Sequence, residues 1–156
     1  NLGIVDLSSE ERFVIADIPG LIEGAAEGAG LGVRFLGHVE RAGVLIHLVD
    51  GTQDDVAGAW RTVRAELEAY GEGLAERPEL LALNKVDALD PDERAARAAE
   101  LEAAAGFAPR LISGVSGEGV QDMLREAFRA VRSHRAAEAG EAAGESDGNL
   151  PDWSPV

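Results

Sequence analysis

The sequence predicts an α/β fold with a mostly parallel sheet flanked by helices. Short apolar runs alternate with segments of helical periodicity, and the connections between them are short. Polar residues directly follow the apolar runs, which is where parallel sheets bind their ligands. These residues at the predicted strand ends are Asp17, Asp50, Asn84 and Ser113.

The composition limits the classes of function. The 156 residues suit one domain, and a hydrophobic content of 46% is enough for a core. A formal net charge of −15 argues against binding free DNA, because a phosphate backbone needs many cations to neutralise it. The chain has no cysteine, no apolar run long enough for a membrane span and no secretory leader, so we expect a cytoplasmic protein.

Five apolar runs predict the strands. The runs at 2–7 and 12–17 are separated by Ser-Ser-Glu-Glu, which favours a hairpin or a corner between two strands. The runs at 44–50 and 79–84 are almost continuously apolar, as buried parallel strands are. A shorter run at 110–113 predicts a last strand.

The segments between the later predicted strands, and the segment after the last one, have helical periodicity. Apolar residues at helical spacing predict a helix over 54–70, with Thr52 and Asp55 resembling a capping box at its start. Asp90 begins a second, Ala-rich helix that runs to about residue 105, because a cap, a proline and acidic residues occur together there. Apolar residues over 120–131 mark the last helix.

The composition changes at Ala136. We predict one domain over 1–135 and an acidic disordered tail over 136–156, which contains no basic residue. Two roles for the tail stay open: a plain solubilising segment, or a docking peptide built around Trp153.

The sharpest motif is N-K-x-D at the end of the predicted strand 79–84. It comprises Asn84, Lys85, Val86 and Asp87. A guanine base presents two adjacent N–H donors, which one carboxylate accepts together, whereas adenine would leave that carboxylate unpaired. Asp87 can supply the carboxylate, Lys85 can lay its alkyl stem over the purine, and the amide of Asn84 can tie neighbouring loops together.

A second motif, D-x-x-G, ends the predicted strand 12–17. Asp17 can hold Mg²⁺ through water, and the amide of Gly20 can approach a terminal phosphate because glycine has no side chain. Loss of that phosphate would release the glycine-rich segment that follows, so the motif predicts a switch. A third motif, Ser113, Gly114 and Val115, follows the last strand and can frame the far edge of a base.

The three motifs in this order resemble the third, fourth and fifth sequence motifs of TRAFAC-class GTPases. The stretch "DIPGLIEGAAEGAGLGVRFLGHVERA" is similar to the switch II signature of the Obg GTPases, and the resemblance runs from residue 1 to about 133. It implies a P-loop NTPase G domain, a three-layer sandwich with a mostly parallel sheet. It also implies GTP and GDP as substrate and product, Mg²⁺, and a role in assembly of the large ribosomal subunit.

The resemblance also implies roles for the motif residues. By position, Asp17 would be the Mg²⁺-linked carboxylate and Gly20 the γ-phosphate amide. The other predicted nucleotide-binding residues are Ile18, Pro19, Asn84, Lys85, Val86, Asp87, Ser113, Gly114 and Val115.

Two positions depart from related GTPases. Gly114 stands where many relatives have alanine, which is a mild change for a backbone contact. Leu21 stands where Ras-like GTPases carry the glutamine that orients the attacking water, so the catalytic group is unassigned. Glu23, Glu27 and His38 are polar residues of this segment and are more typical of a solvated switch.

The phosphate-binding loop G-x-x-x-x-G-K-[ST] does not occur in these 156 residues, and Lys85 is their only lysine. In the resembled family this loop, switch I, a central strand and the first helix lie upstream. We therefore expect the chain to be the second part of a G domain, inactive by itself. The central strand would lie between the strands at 12–17 and 44–50, leaving both with unpaired edges.

Three interpretations are open at this point. The first is a GTP-hydrolysing switch protein, for which this chain supplies switch II and the guanine-reading elements. The second is a non-catalytic interaction module derived from a G domain. The third is an unrelated α/β nucleotide-binding protein in which the motifs occur by chance.

Overall fold

The computed structural model describes residues 2–18, 41–71 and 73–146, with side chains to residue 143. Its strands are β1 (Leu2–Asp6), β2 (Arg12–Ala16), β3 (Leu45–Asp50), β4 (Glu79–Asn84) and β5 (Arg110–Leu111). Its helices are α1 (Val56–Tyr70), α2 (Pro91–Ala105) and α3 (Val120–Ser146), and Val86–Ala88 forms one turn of 3₁₀-helix.

The central sheet is parallel, with strand order β3–β4–β5. Asp50 pairs with Asn84 at the carboxyl ends of β3 and β4, so both predicted strand ends reach the same edge. The predicted strands at 44–50 and 79–84 are confirmed. β5 is shorter than the predicted 110–113 because the chain turns after Ile112 into a loop closed by the bond from Ser113 N to Glu118 O.

Helices cover both faces of this sheet. Leu81 and Leu83 of β4 pack against residues of α1 and α2, including Val56 and Leu101. On the opposite face, Ala82 packs with Ile112 and Met123 of α3. The described residues therefore form three layers, and the alternation of side chains along β4 explains how one strand serves two cores.

β1 and β2 form a separate antiparallel hairpin in which Leu2 pairs with Ala16 and Asp6 with Arg12. Phe13 is buried against Phe128 of α3, with ring centroids 6.4 Å apart. No ladder joins the hairpin to the parallel sheet among the described residues. The predicted hairpin is thus confirmed, and α3 is the element that supports both sheets.

The helix starts follow from their capping residues. Asp90 and Glu93 form a reciprocal capping box with Pro91 in the first turn, as predicted. α1 begins at Val56 with Asp55 as its N-cap. Thr52 instead bonds to Asp50, so it belongs to the loop that precedes the helix.

The largest difference from the sequence-based prediction lies at the end of α3. The sequence predicted disorder from Ala136, whereas the helix continues to Ser146. Alanine and glutamate dominate this stretch, and both favour helix strongly enough to extend one that already packs against the core. Residues 147–156 lie outside the described part. Across the described helices, none is long and apolar enough to cross a membrane.

Candidate functional site

The site begins where the three parallel strands end. Asp50 and Asn84 are paired at the ends of β3 and β4, and Ile112 N donates to Leu83 O at 2.9 Å just beyond β5. This shared edge is where a parallel sheet binds its ligand. Three of the four polar residues predicted at strand ends, Asp50, Asn84 and Ser113, therefore gather here.

Buried anchors hold the loop that follows β4. Lys85 adopts the left-handed conformation (φ 63°), which turns the chain sharply after Asn84. The side chain of Val86 is fully buried in the core, and its N–H donates to Ile112 O at 3.2 Å. Because Val86 points inward, its neighbours Lys85 and Asp87 are exposed at the loop surface.

Ser113 orients the carboxylate of Asp87. Its hydroxyl donates to Asp87 Oδ1 at 2.6 Å and accepts from Ser116 N at 3.0 Å. Ser113 is fully buried, so this hydroxyl is fixed in place. The carboxylate keeps further acceptor capacity, because the bond to Ser113 uses only one of its lone pairs.

Asn84 connects the two loops of the site. Its side-chain Oδ1 accepts from Gly114 N at 3.1 Å, and its backbone carbonyl accepts from Gly51 N at 2.9 Å. The first of these bonds joins the loop after β4 to the loop after β5. Val115 is 90% exposed beside this junction, so the loop presents its backbone and an apolar side chain to solvent.

The sequence did not predict an ion pair between Lys85 and Asp50 at the same edge. Lys85 Nζ donates to Asp50 Oδ2 at 2.6 Å, while Thr52 donates its N–H and its hydroxyl to Asp50 Oδ1. Burial raises the pKa of Asp50, but the hydrogen bonds from Lys85 and Thr52 outweigh it and lower the pKa to about 2. The sequence does contain a signal for this pair: its single lysine, Lys85, directly follows one predicted strand, and Asp50 ends the predicted strand before it.

Asp17 lies apart from this group. It is exposed just after β2, and the next residue, Ile18, packs with Leu45 and Leu67. Leu45 begins β3, five residues before Asp50, which is about 17 Å along a strand. The structure therefore does not bring Asp17 to the edge that carries Asp87. The other residues predicted for the switch lie outside the described residues: Pro19, Gly20, Leu21, Glu23, Glu27 and His38.

A cleft of about 1010 Å³ separates the hairpin from the parallel sheet. Phe13 and Ile15 line it from the hairpin, and Ile46 and Leu48 line it from β3. Leu48 is 52% exposed, although it stands in the middle of a parallel strand, where side chains are normally covered on both faces. Among the described residues, none fully covers Leu48, so the cleft marks an open part of this face of the sheet.

The donor set near Asp17 fits the predicted Mg²⁺ only in part. In the described ranges, no three side chains from His, Asp and Glu cluster to form a metal site by themselves. A single exposed carboxylate is still consistent with Mg²⁺, which keeps several waters and takes further oxygens from phosphates.

Comparison with known proteins decides the family. The sequence model of the 50S ribosome-binding GTPases matches residues 1–85, more than half of the chain. The chain belongs to this GTPase family. It is also 58% identical over 134 residues to the GTPase Obg of Acidiphilium cryptum (strain JF-5), a match that covers 86% of this chain and 40% of that protein.

Membership of this GTPase family confirms two predictions. The resemblance to the Obg GTPases is confirmed, and so is an α/β fold of the P-loop GTPase type, since the parallel sheet with helices on both faces agrees with it. The third interpretation, an unrelated protein with chance motifs, is wrong. The chain spans about two fifths of the length of the curated relative that it matches.

Proposed function

We propose that this chain supplies the guanine-reading edge and switch II of a GTP-hydrolysing switch protein of the Obg type. The observation that carries the proposal is the bond from the buried hydroxyl of Ser113 to the carboxylate of Asp87. It fixes one acceptor group at the edge of the sheet where nucleotides bind. Asn84 joins the same two loops, so the carboxylate is held before any ligand arrives.

Guanine is the base that suits this acceptor. Its ring N–H and exocyclic amine are adjacent donors, and a carboxylate accepts both in one bidentate contact. Adenine offers no such pair, so binding it would desolvate Asp87 without compensation. The aliphatic stem of Lys85, 53% exposed, is available to cover the face of the ring.

We propose that the part of the site that binds the phosphates requires a further strand, supplied by another part of the protein. A strand between β2 and β3 would fill the cleft, cover Leu48 and bring Asp17 level with Asp50. A P-loop at the end of such a strand would hold the phosphates, with Asp17 on Mg²⁺ and Gly20 on the γ-phosphate. We accordingly propose that residues 1–156 alone neither bind GTP tightly nor hydrolyse it.

The cellular role is proposed from the family. Its description as ribosome-binding and the similarity to an Obg protein support a function on the large ribosomal subunit, in its assembly, within the cytoplasm. Residues 136–156 are proposed to lie outside the G domain.

Nucleotide selectivity tests the proposal without any mutation. We would measure by calorimetry the Kd values of the full-length protein for GDP, IDP and ADP, which share ribose and phosphates and differ in the base. IDP lacks the exocyclic amine, so loss of one charge-assisted hydrogen bond should weaken it roughly 10- to 100-fold. ADP lacks both donors and should bind at least about 1,000-fold more weakly than GDP.

Equal affinity for the three nucleotides would contradict the proposal, because contacts to ribose and phosphate alone would then account for binding. Equal affinity for GDP and IDP with weak ADP binding would show that the exocyclic amine is not recognised. It would contradict the bidentate contact with Asp87, because IDP keeps only the ring N–H.

A further inference from the structure

The two carboxylate oxygens of Asp50 accept hydrogen bonds from different residues. Thr52 occupies Oδ1 with its N–H at 2.9 Å and its hydroxyl at 2.6 Å. Lys85 occupies Oδ2 with its ammonium at 2.6 Å. Because Thr52 fixes the rotation of the carboxylate, Oδ2 presents a defined position to the lysine.

The backbone brings the two residues together. Asp50 pairs with Asn84 in the parallel ladder, and Gly51 N donates to Asn84 O at 2.9 Å just beyond it. A side chain at position 51 would lie 2.9 Å from that carbonyl oxygen, so only glycine permits this approach. The left-handed turn at Lys85 then directs its side chain back towards the end of β3.

We propose that Asp50 is a positioning residue for nucleotide binding: it holds the ammonium of Lys85 so that the alkyl stem lies along the face of the guanine ring. This inference rests on the proposed function, since it concerns the same base site. A lysine stem has many rotamers, and a fixed end removes most of them before the base arrives. Thr52 contributes indirectly, because it orients the carboxylate of Asp50 that holds Lys85.

The electrostatics support a permanent contact. Asp50 stays ionised well below neutral pH, because the hydrogen bonds from Lys85 and Thr52 lower its pKa despite burial. The pair is nevertheless half open to water, with Lys85 53% and Asp50 26% exposed. The effect on binding should therefore be that of a partly screened ion pair.

A double-mutant cycle tests the assignment. The Kd for GDP would be measured in the full-length protein for the wild type, Asp50→Asn, Lys85→Met and the double variant. We expect Asp50→Asn to weaken binding about fivefold, the upper range for an exposed pair. In the Lys85→Met background the same change should weaken it less than about 1.5-fold, because the lysine through which Asp50 acts is gone.

Turnover separates positioning from chemistry. The face of the base is contacted equally in the ground state and the transition state, so Asp50→Asn should raise KM for GTP and leave kcat unchanged. Thr52→Val leaves both charged groups in place and should weaken GDP binding about twofold, again only when Lys85 is present. It keeps the inference testable even if Asp50→Asn fails to fold.

Asp54→Asn is the matched control. It removes the same charge from the same loop. The side chain of Asp54 is fully exposed, and its contact with Arg97 is long, at 3.9 Å. We expect its Kd for GDP to equal that of the wild type.

Three results would overturn the inference. Equal effects of Asp50→Asn in both backgrounds would show that Asp50 acts independently of Lys85. Tighter GDP binding by Asp50→Asn would show that the ion pair competes with the nucleotide. A wild-type protein that does not prefer GDP over ADP would overturn the proposed function itself, whereas a GDP-selective protein with an additive cycle would overturn only the role of Asp50.

Discussion

The edge of the parallel sheet and the β1–β2 hairpin carry two halves of one predicted site, and this chain organises them differently. At the sheet edge, Gly51 and Gly114 donate hydrogen bonds to Asn84, and Ser113 donates one to Asp87, so the loops after three adjacent strands are joined. The hairpin shares no ladder with that sheet among the described residues and rests on α3 through Phe13. Hydrogen bonds within this chain therefore fix the site residues that follow the neighbouring strands β3, β4 and β5, but not the part of the site that follows the hairpin.

Burial follows the same division. Leu83 of β4 is fully buried, whereas Leu2, Ile4 and Val14 of the hairpin are each more than half exposed. Apolar burial at about 25 cal/mol per Å² is the main source of stability, so the sheet edge should resist unfolding longer than the hairpin. Substitutions in the two regions can test this contrast directly.

The largest expected effect comes from the core beneath the sheet edge. Leu101→Ala removes a fully buried side chain that packs with Leu81 and Leu83. It should lower the free energy of unfolding by about 3–4 kcal/mol, measured by urea titration. Leu2→Ala is the matched control, because Leu2 is 61% exposed, and it should cost less than about 0.5 kcal/mol. Equal costs would contradict the contrast.

The next effect concerns the attachment of the hairpin. Phe13→Ala removes the buried ring that contacts Phe128, at an expected cost of about 2 kcal/mol because the ring packs on one helix rather than in a closed core. Hydrogen exchange should accelerate for amides of β1 and β2 and stay unchanged for β4. Acceleration throughout β4 would show that the two regions unfold as one unit.

A smaller effect comes from Glu79 at the opposite end of β4. Its carboxylate accepts hydrogen bonds from Trp60 at 3.0 Å and Arg64 at 3.0 Å and pairs with His47 at 2.9 Å. Burial raises the pKa of Glu79, but the bond from His47 and the others outweigh it, so the pKa is lowered. Glu79→Gln should cost about 1–2 kcal/mol at pH 7, because a charged acceptor is lost.

The pH dependence of Glu79 has a definite sign. A carboxyl group whose folded pKa is lowered stabilises the fold fully above its unfolded value, here 4.5, and loses this contribution as the pH falls below it. The free energy of unfolding should thus decline less steeply with acid in Glu79→Gln than in the wild type. Identical acid titrations of the two proteins would contradict this.

The smallest effect tests a local signal. Asp90→Ala removes the N-cap of α2 and half of its capping box, which should lower the free energy of unfolding by about 1 kcal/mol. Asp92→Ala removes a first-turn acid that does not cap the helix, so only its interaction with the helix dipole is lost, roughly 0.3–0.5 kcal/mol. Thermal denaturation of both variants measures the difference.

Local patterns were sufficient to predict much of this fold. The apolar runs at 44–50 and 79–84 predicted β3 and β4, and the Asp90-Pro91 signal predicted the start of α2. The sequence did not reveal the Asp50–Lys85 pair, because the two residues meet only through the strand register. It also predicted disorder after Ala136, where packing of the preceding turns on the core extends α3.

The candidate site shows the same limit. The motif around Asn84 and Asp87 could be predicted because both residues follow one strand and bond to the next loop. The placement of Asp17 could not be predicted, because it depends on what pairs with the edge of β2 that faces away from β1. No described residue pairs with that edge.

The central claim is that the carboxylate of Asp87 selects guanine, and Asp87→Asn in the full-length protein tests it most directly. An amide offers a donor where the carboxylate offers an acceptor, so it suits xanthine, whose 2-position carries an oxygen. We expect Asp87→Asn to bind XDP more tightly than GDP, so that the ratio of the Kd for XDP to the Kd for GDP falls at least about 100-fold from its wild-type value, whereas Asp92→Asn leaves this ratio unchanged. If Asp87→Asn still prefers GDP, the carboxylate of Asp87 does not select guanine.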